Sequence, residues 1–344
     1  MRKGTTAALI LAGAALILDS RYAAQAAGES LELCARVLVP NLLPLFVVST
    51  LLVPGLRGFR IPFLSRLLGV PAGAEGIWLL GLCGGFPVGA ACTAQAVHGS
   101  ALSKTDAERM LGLCSLCGPA FLFGVLPRFL PMKEVLALFV IQTETSLLLA
   151  GLWPGASNGR LTPSAEAVRL PEAVRRAVDS LLSVCAWVTM AGVASGFLRR
   201  WLFPFLPSNL DAVMTGLLEL TNGIFVLPEK NRFQLCTLFV CFGGACVLLQ
   251  IGGLAAAAGL GMRVCILQKS VHALLGAVAA MLYLRIGWLS FLLIPAVLFV
   301  KMALEIPGSM MYNGRERKGF KCCFAKKWTA PASTAGSARK WTRI

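Results

Sequence analysis

Charge is what this sequence has least of. Asp, Glu, Lys and Arg make up 14% of its 344 residues, against 57% hydrophobic; a soluble domain carries about a quarter charged residues. That scarcity excludes an ordinary water-soluble globule. Histidine is rarer still, with His98 and His272 alone, too few for a histidine-built metal centre. Cys114-Ser-Leu-Cys117 has C-x-x-C spacing, but no second pair and no neighbouring His completes a zinc site. No metal and no cofactor is expected. The chain also lacks a G-x-S-x-G elbow, an H-E-x-x-H pair and a phosphate loop with its Lys, so no enzyme is expected.

What the chain has instead is repeated apolar runs near the roughly 20 residues that cross a bilayer. They predict an all-α, polytopic transmembrane bundle of about ten spans, near 5–22, 33–54, 75–99, 110–130, 133–152, 178–198, 211–228, 234–258, 262–284 and 287–305. The start resembles a signal peptide. Asp19-Ser20-Arg21-Tyr22 is a poor cleavage site, however, so residues 1–30 read as a retained first span and its connection. Ten of the twelve cysteines lie in apolar runs, where they pack as small, soft hydrophobes.

The net charge of +16 is concentrated at one end. Nine Lys and Arg fall between Tyr312 and Ile344, against Glu316 alone. Residues 306–344 therefore read as a basic, disordered cytoplasmic tail that follows the positive-inside rule and attracts anionic lipid headgroups. Nucleic acid is not an expected partner, because neither aromatic platforms nor a folded reading module accompany the charge.

A polar stretch, 153–177, divides the chain into two halves, 31–152 and 178–305, with a short surface helix expected from Pro171. Each half has a continuous span followed by two interrupted ones. The interruptions fall at Gly84-Gly85-Phe86-Pro87-Val88-Gly89 and Gly118-Pro119 in the first half. In the second they fall at Glu219-Leu220-Thr221-Asn222-Gly223 and Gly243-Gly244. Paired interruptions at corresponding places point to an inverted repeat with its binding site at the breaks; some of these segments read equally well as re-entrant hairpins. Unwound backbone at membrane depth is tolerated only inside protein or beside a cavity. A helix resuming near Val88 would aim its positive end at the break, a ready anion site.

Deep polar residues extend the candidate site. Gln142, Glu144, Glu219 and Gln250 stand in apolar surroundings, where ionisable groups are functional candidates by default. Lys269 and His272, three residues apart, share a helix face. Lys269 either faces the interior or snorkels to the interface. Glu219 is expected to be protonated beside bound anion, to pair with Lys269 or His272 when the site is empty, or to brace the segment around Thr221.

In order along the chain, Pro40-Asn-Leu-Leu-Pro44-Leu-Phe46, Gly85-Phe86-Pro87-Val88-Gly89-Ala90, Asp106-Ala107-Glu108-Arg109-Met110-Leu111 and Gly118-Pro119-Ala120-Phe121 are followed by Leu218-Glu219-Leu220-Thr221-Asn222-Gly223, Phe242-Gly243-Gly244 with Gln250, and Lys269-Ser-Val-His272. Together they resemble the motifs of the YlbJ (SpoVV) sporulation integral membrane proteins, of the nucleoside-recognition Gate superfamily. The resemblance implies a carrier in the outer forespore membrane that moves dipicolinic acid, alongside other sporulation membrane proteins. Within and beside those motifs the expected substrate-binding set is Gly84, Gly85, Phe86, Pro87, Gly89, Gly118, Pro119, Glu219, Thr221, Asn222, Gly243, Gly244, Gln250, Lys269 and His272. Gly85, Phe86 and Gly118 stand where the family has Ser, Tyr and Asn, which shifts recognition toward backbone N–H groups. The expected substrate is thus a small anion. A nucleoside carrier and a non-transporting scaffold are the other readings, the first suggested by Gln142-Thr143-Glu144.

Overall fold

The computed structural model describes residues 3–56, 59–98, 102–152, 168–205 and 207–298. The basic tail, most of the polar linker and residues 299–305 of the expected tenth span lie outside them. The described chain is helical, with no β-strand. It comprises α1 (Lys3–Leu18), α2 (Ser20–Leu33), α3 (Val39–Leu56), α4 (Pro62–Leu68), α5 (Glu75–Gly84), α6 (Phe86–His98), α7 (Lys104–Cys114), α8 (Pro119–Gly124) and α9 (Met132–Leu152). There follow α10 (Leu170–Trp201), α11 (Ser208–Leu218), α12 (Leu220–Val226), α13 (Arg232–Phe242), α14 (Gly244–Ala257) and α15 (Arg263–Ile286).

Among the described residues, five stretches are long and apolar enough to cross a membrane: Ser20–Leu52, Met132–Leu152, Leu170–Trp201, Arg232–Ala257 and Arg263–Leu298. That is half the expected number, and the reasons are local. A π-helical turn, Cys34–Leu38, fuses α2 and α3. It precedes Pro40, whose ring would clash with the carbonyl four residues back in a regular helix. The surface helix expected from Pro171 is the first turn of α10, with Pro171 inside that turn where its missing N–H is harmless. The expected spans 262–284 and 287–305 are not separate: α15 runs into a 3₁₀ segment, Gly287–Leu292, and a last helical stretch at 293–298.

Two expected spans are hairpins. At 10 and 13 residues, α5 and α6 reach only about 15 and 20 Å, and they fold back on each other around the Cys114 carbonyl, which both Gly81 and Gly89 touch. In the second half α11 folds back on α12 in the same way, with Gly223 lying on the Gly216 backbone. By contrast, α7–α8 and α13–α14 do not pack back on themselves. Interior packing is densest where α15 lies against α7, α9 and α13. The rod α2–α3 pairs with α10, tied by Tyr22 Oη donating to Gly196 O (3.0 Å) and by the Arg200–Asp19 ion pair (3.1 Å).

The hairpin contacts make a prediction. A Cβ on Gly223 would overlap the Gly216 Cα and sit 2.6 Å from its N, and backbone cannot step aside. Gly223→Ala should therefore prevent stable folding. Gly253→Ala, which meets nothing within 4 Å on α14, should be neutral or stabilising by up to about 1 kcal/mol. Yield and thermal unfolding of the two purified variants in detergent check the contrast.

Candidate functional site

All four helix interruptions meet in the middle of the molecule. Gly85, at the tip of the α5–α6 hairpin, has φ +85°, a conformation that glycine adopts without steric penalty. A Cβ there would lie 3.3 Å from Gly118 N, and one on Gly118 3.0 Å from Gly85 N, so the tip rests on the α7–α8 break. The second half repeats the arrangement. Gly243 and Gly244 have φ +89° and +82°, and a Cβ on Gly244 would lie 3.3 Å from both Leu218 O and Leu220 N. The tip of the α11–α12 hairpin thus rests on the α13–α14 break. Gly243 also abuts the Phe86 ring across the halves, its would-be Cβ at 3.2 Å.

These breaks enclose a central cavity of about 70 Å³. One wall is made of Gly84, Gly85, Phe86, Pro87 and Gly118 from the first half, and Glu219, Thr221 and Gln250 from the second. The opposite wall is apolar: Leu38, Leu42 and Phe46 face Val184 and Val188 of α10. Eight of the fifteen residues expected in the site therefore line it. Pro119 begins α8 beside Gly118. Gly89, Gly243 and Gly244 stand behind the lining as contact points of the helices, and Asn222 opens onto a different cavity. Pro87 starts a helix rather than breaking one. Because α6 begins at Phe86, the proline sits in its first turn, two residues earlier than the expected restart near Val88.

Glu219 is the N-cap of α12. Its Oε1 accepts from Thr221 N (2.9 Å) and its Oε2 from Asn222 N (2.6 Å). Both oxygens are committed to backbone donors that a helix start leaves free. Among the described residues Glu219 forms no ion pair with Lys269 or His272. Of the arrangements expected for it, the structure contains the brace. The carboxylate holds the hairpin tip in shape at the cavity edge.

Lys269 and His272 are both buried, at 0% and 1% exposure, so Lys269 does not snorkel. Nor do they line the cavity. Lys269 Nζ donates to Ser115 O (2.8 Å) just past the C-terminus of α7, where a cation complements the helix dipole. It lies 3.4 Å from His272 Nδ1 and 5.3 Å from the centroid of the Phe86 ring. His272 Nε2 is 3.0 Å from Gln142 O, so Nε2 carries the proton and Nδ1 faces the ammonium. The Lys269 charge therefore stands directly behind Phe86, one ring away from the cavity.

Gln142, a deep polar residue that the motifs did not select, completes this network. Its amide accepts from Cys117 N (3.2 Å) and donates to Cys117 O (2.8 Å), replacing helix bonds missing at the α7–α8 break. Gln142→Leu should leave both backbone groups unpaired. The expected loss is roughly 2–5 kcal/mol, seen as a lower unfolding temperature in detergent. Glu144, by contrast, lies half-exposed on α9 outside the cavity. Two further buried charges serve the connection before α5. Glu75 accepts from Ile61 N (2.9 Å) and Gly73 N (2.7 Å), and Arg109 donates to the carbonyls of Leu68 and Gly69. None of the ten described cysteines is in a disulfide, and no metal-binding cluster of His, Cys, Asp and Glu occurs among the described residues.

Comparison with known proteins gives one relative. Over 120 residues the chain is 29% identical to the sporulation integral membrane protein YlbJ of Bacillus subtilis (strain 168). The match spans 32% of this chain and 28% of that protein. No family model and no solved structure matches. The resemblance read from the motifs is thereby supported over about a third of the chain, and with the long apolar helices it marks an integral membrane protein for which a role in sporulation fits.

Proposed function

We propose that this relative of a sporulation integral membrane protein is a carrier of a small anionic solute, with pyridine-2,6-dicarboxylate (dipicolinate) as that solute and the outer forespore membrane as its place. The observation that carries the reading is the convergence of four helix interruptions on one cavity. Two helices of 13 and 14 residues, α6 and α14, start at its edge and turn their positive ends toward it. Lys269 adds a full charge behind Phe86. A dicarboxylate cannot enter a low-dielectric interior without such compensation.

An inverted repeat is part of this reading. Several contacts are consistent with a two-fold relation, though α6–α14 has no comparable α8–α12 packing: α3 packs on α10 and α9 on α15, and α3 meets α8 as α10 meets α14. Likewise α5 meets α8 as α11 meets α14, and α7 meets α15 as α13 meets α9. The cavity is smaller than the roughly 300 Å³ at which small-molecule pockets begin. Solute therefore enters as the halves move apart, in the manner of repeat carriers.

A nucleoside carrier is the second reading. One observation favours it: the polar side chains in the cavity wall are Glu219, Thr221 and Gln250, hydrogen-bonding groups without a cation among them. Complementation separates the readings. Expressed in a sporulating bacterium that lacks its own YlbJ, this chain should restore dipicolinate to the spore core. Failure to restore it, with the protein present in the membrane, counts against the anion carrier.

A further inference from the structure

We propose that a second, polar cavity is a waiting site for a carboxylate-bearing solute, one residue layer away from the central cavity. The proposal rests on the anion-carrier reading and adds a site to it. This cavity, of about 480 Å³, lies between α2, α10 and the α11–α12 hairpin. Adjacent residues divide between the two spaces. Val37 faces the second cavity and Leu38, in the same π-helical turn, the central one; Asn222 faces the second and Thr221 the central. On α10 the division falls one turn apart, between Val188 and Gly192. The layer between them is the π-helical turn on one side and the Glu219-capped start of α12 on the other. Wide turns of this kind gather at functional sites.

The chemistry of the deep end calls for an acceptor. Ser195 Oγ and Asn222 Nδ2 are buried without a hydrogen-bond partner among the described residues, and Ser195 is 3% exposed. Each unpartnered polar group of this kind carries a desolvation penalty until something pairs with it. Beside them stands Arg199, whose Nε is 3.1 Å from Asp211 Oδ1 and whose Nη2 donates to Thr215 Oγ1 (3.1 Å). That leaves further N–H groups of its five-donor fork for a ligand. An amide N–H₂, a hydroxyl and a held guanidinium together suit a carboxylate. Of the nearby acidic groups, Asp211 is engaged by Arg199 and Thr215, Glu32 pairs with Arg36 (3.0 Å), and exposed Glu29 accepts from Gln25. Glycine at 192 makes the space possible, since a Cβ there would collide with Ser30 Oγ and lie 3.4 Å from Asn222 Nδ2.

Equilibrium binding of labelled pyridine-2,6-dicarboxylate to the purified full-length protein in nanodiscs tests this. The wild type should bind two molecules per chain, and Ser195→Ala/Asn222→Ala one. Uptake by the double variant in liposomes should show a KM raised about tenfold with kcat held. Asn222→Asp nearly preserves shape but replaces the free N–H₂ by an anionic oxygen. It should lose the second site with an unchanged unfolding temperature, which separates binding from folding. A wild type that binds one molecule and variants that match it overturn the proposal, with water satisfying Ser195 and Asn222. A wild type that neither binds nor carries the dicarboxylate removes the carrier reading as well.

Discussion

Lys269→Gln should reduce dicarboxylate uptake by roughly 30-fold while leaving any uridine uptake unchanged. The size follows from position. The ammonium is 5.3 Å from the Phe86 ring that lines the cavity, so a bound carboxylate would stand about 8 Å from it. A unit charge at that range in an effective dielectric near 20 is worth about 2 kcal/mol, a factor of about 30 in affinity. Glutamine can still donate to Ser115 O, so the α7 end keeps a partner and folding should survive. Initial rates at several solute concentrations, on variants matched for amount in the membrane, make the measurement. Equal loss of both solutes would mean that Lys269 only holds the α7–α8 break.

Glu219→Ala carries the second large effect. It removes both acceptors from the start of α12 and leaves Thr221 N and Asn222 N bare at the cavity edge. Loss of an N-cap typically costs about 1–2 kcal/mol. Because the hairpin tip rests on the Gly243-Gly244 break, transport should fall at least about tenfold. Glu219→Gln keeps one acceptor and should be intermediate in stability and rate. With the carboxylate acting as a brace, its pH profile should match the wild type. A profile that loses its pH dependence in the Gln variant would restore the proton link in place of the brace.

Much of this centre was legible in the residues. Clustered glycines and prolines mark places where an apolar helix cannot continue, and Gly85, Gly118, Glu219 and Gly243 are all turning points in the fold. The direction of the chain beyond each break was not legible. A hairpin such as α5–α6 and a bent helix such as α13–α14 have the same hydropathy, and only the close backbone contacts at Gly81, Gly89 and Gly223 separate them. Side-chain roles were harder still. Glu219 as a cap depends on α12 starting at Leu220, and a local restart leaves no periodic signal in seven residues. The three-residue spacing of Lys269 and His272 gives them one face of α15, but that face points at Ser115 and Gln142, partners more than a hundred residues away. The depth of Gln142 is legible in its apolar run, whereas its pairing with the Cys117 backbone is a property of the fold. Asn222, next to Thr221 in the sequence, parts from it because successive helical residues point about 100° apart.

The central claim is that this bundle moves an organic dianion. Purified full-length protein in liposomes, given labelled pyridine-2,6-dicarboxylate with and without an imposed pH gradient, tests it most directly. Saturable uptake above that of protein-free liposomes, competed by unlabelled dicarboxylate and not by uridine, is the result predicted. Uptake no faster than the protein-free control, or uridine transported in its place, would contradict it.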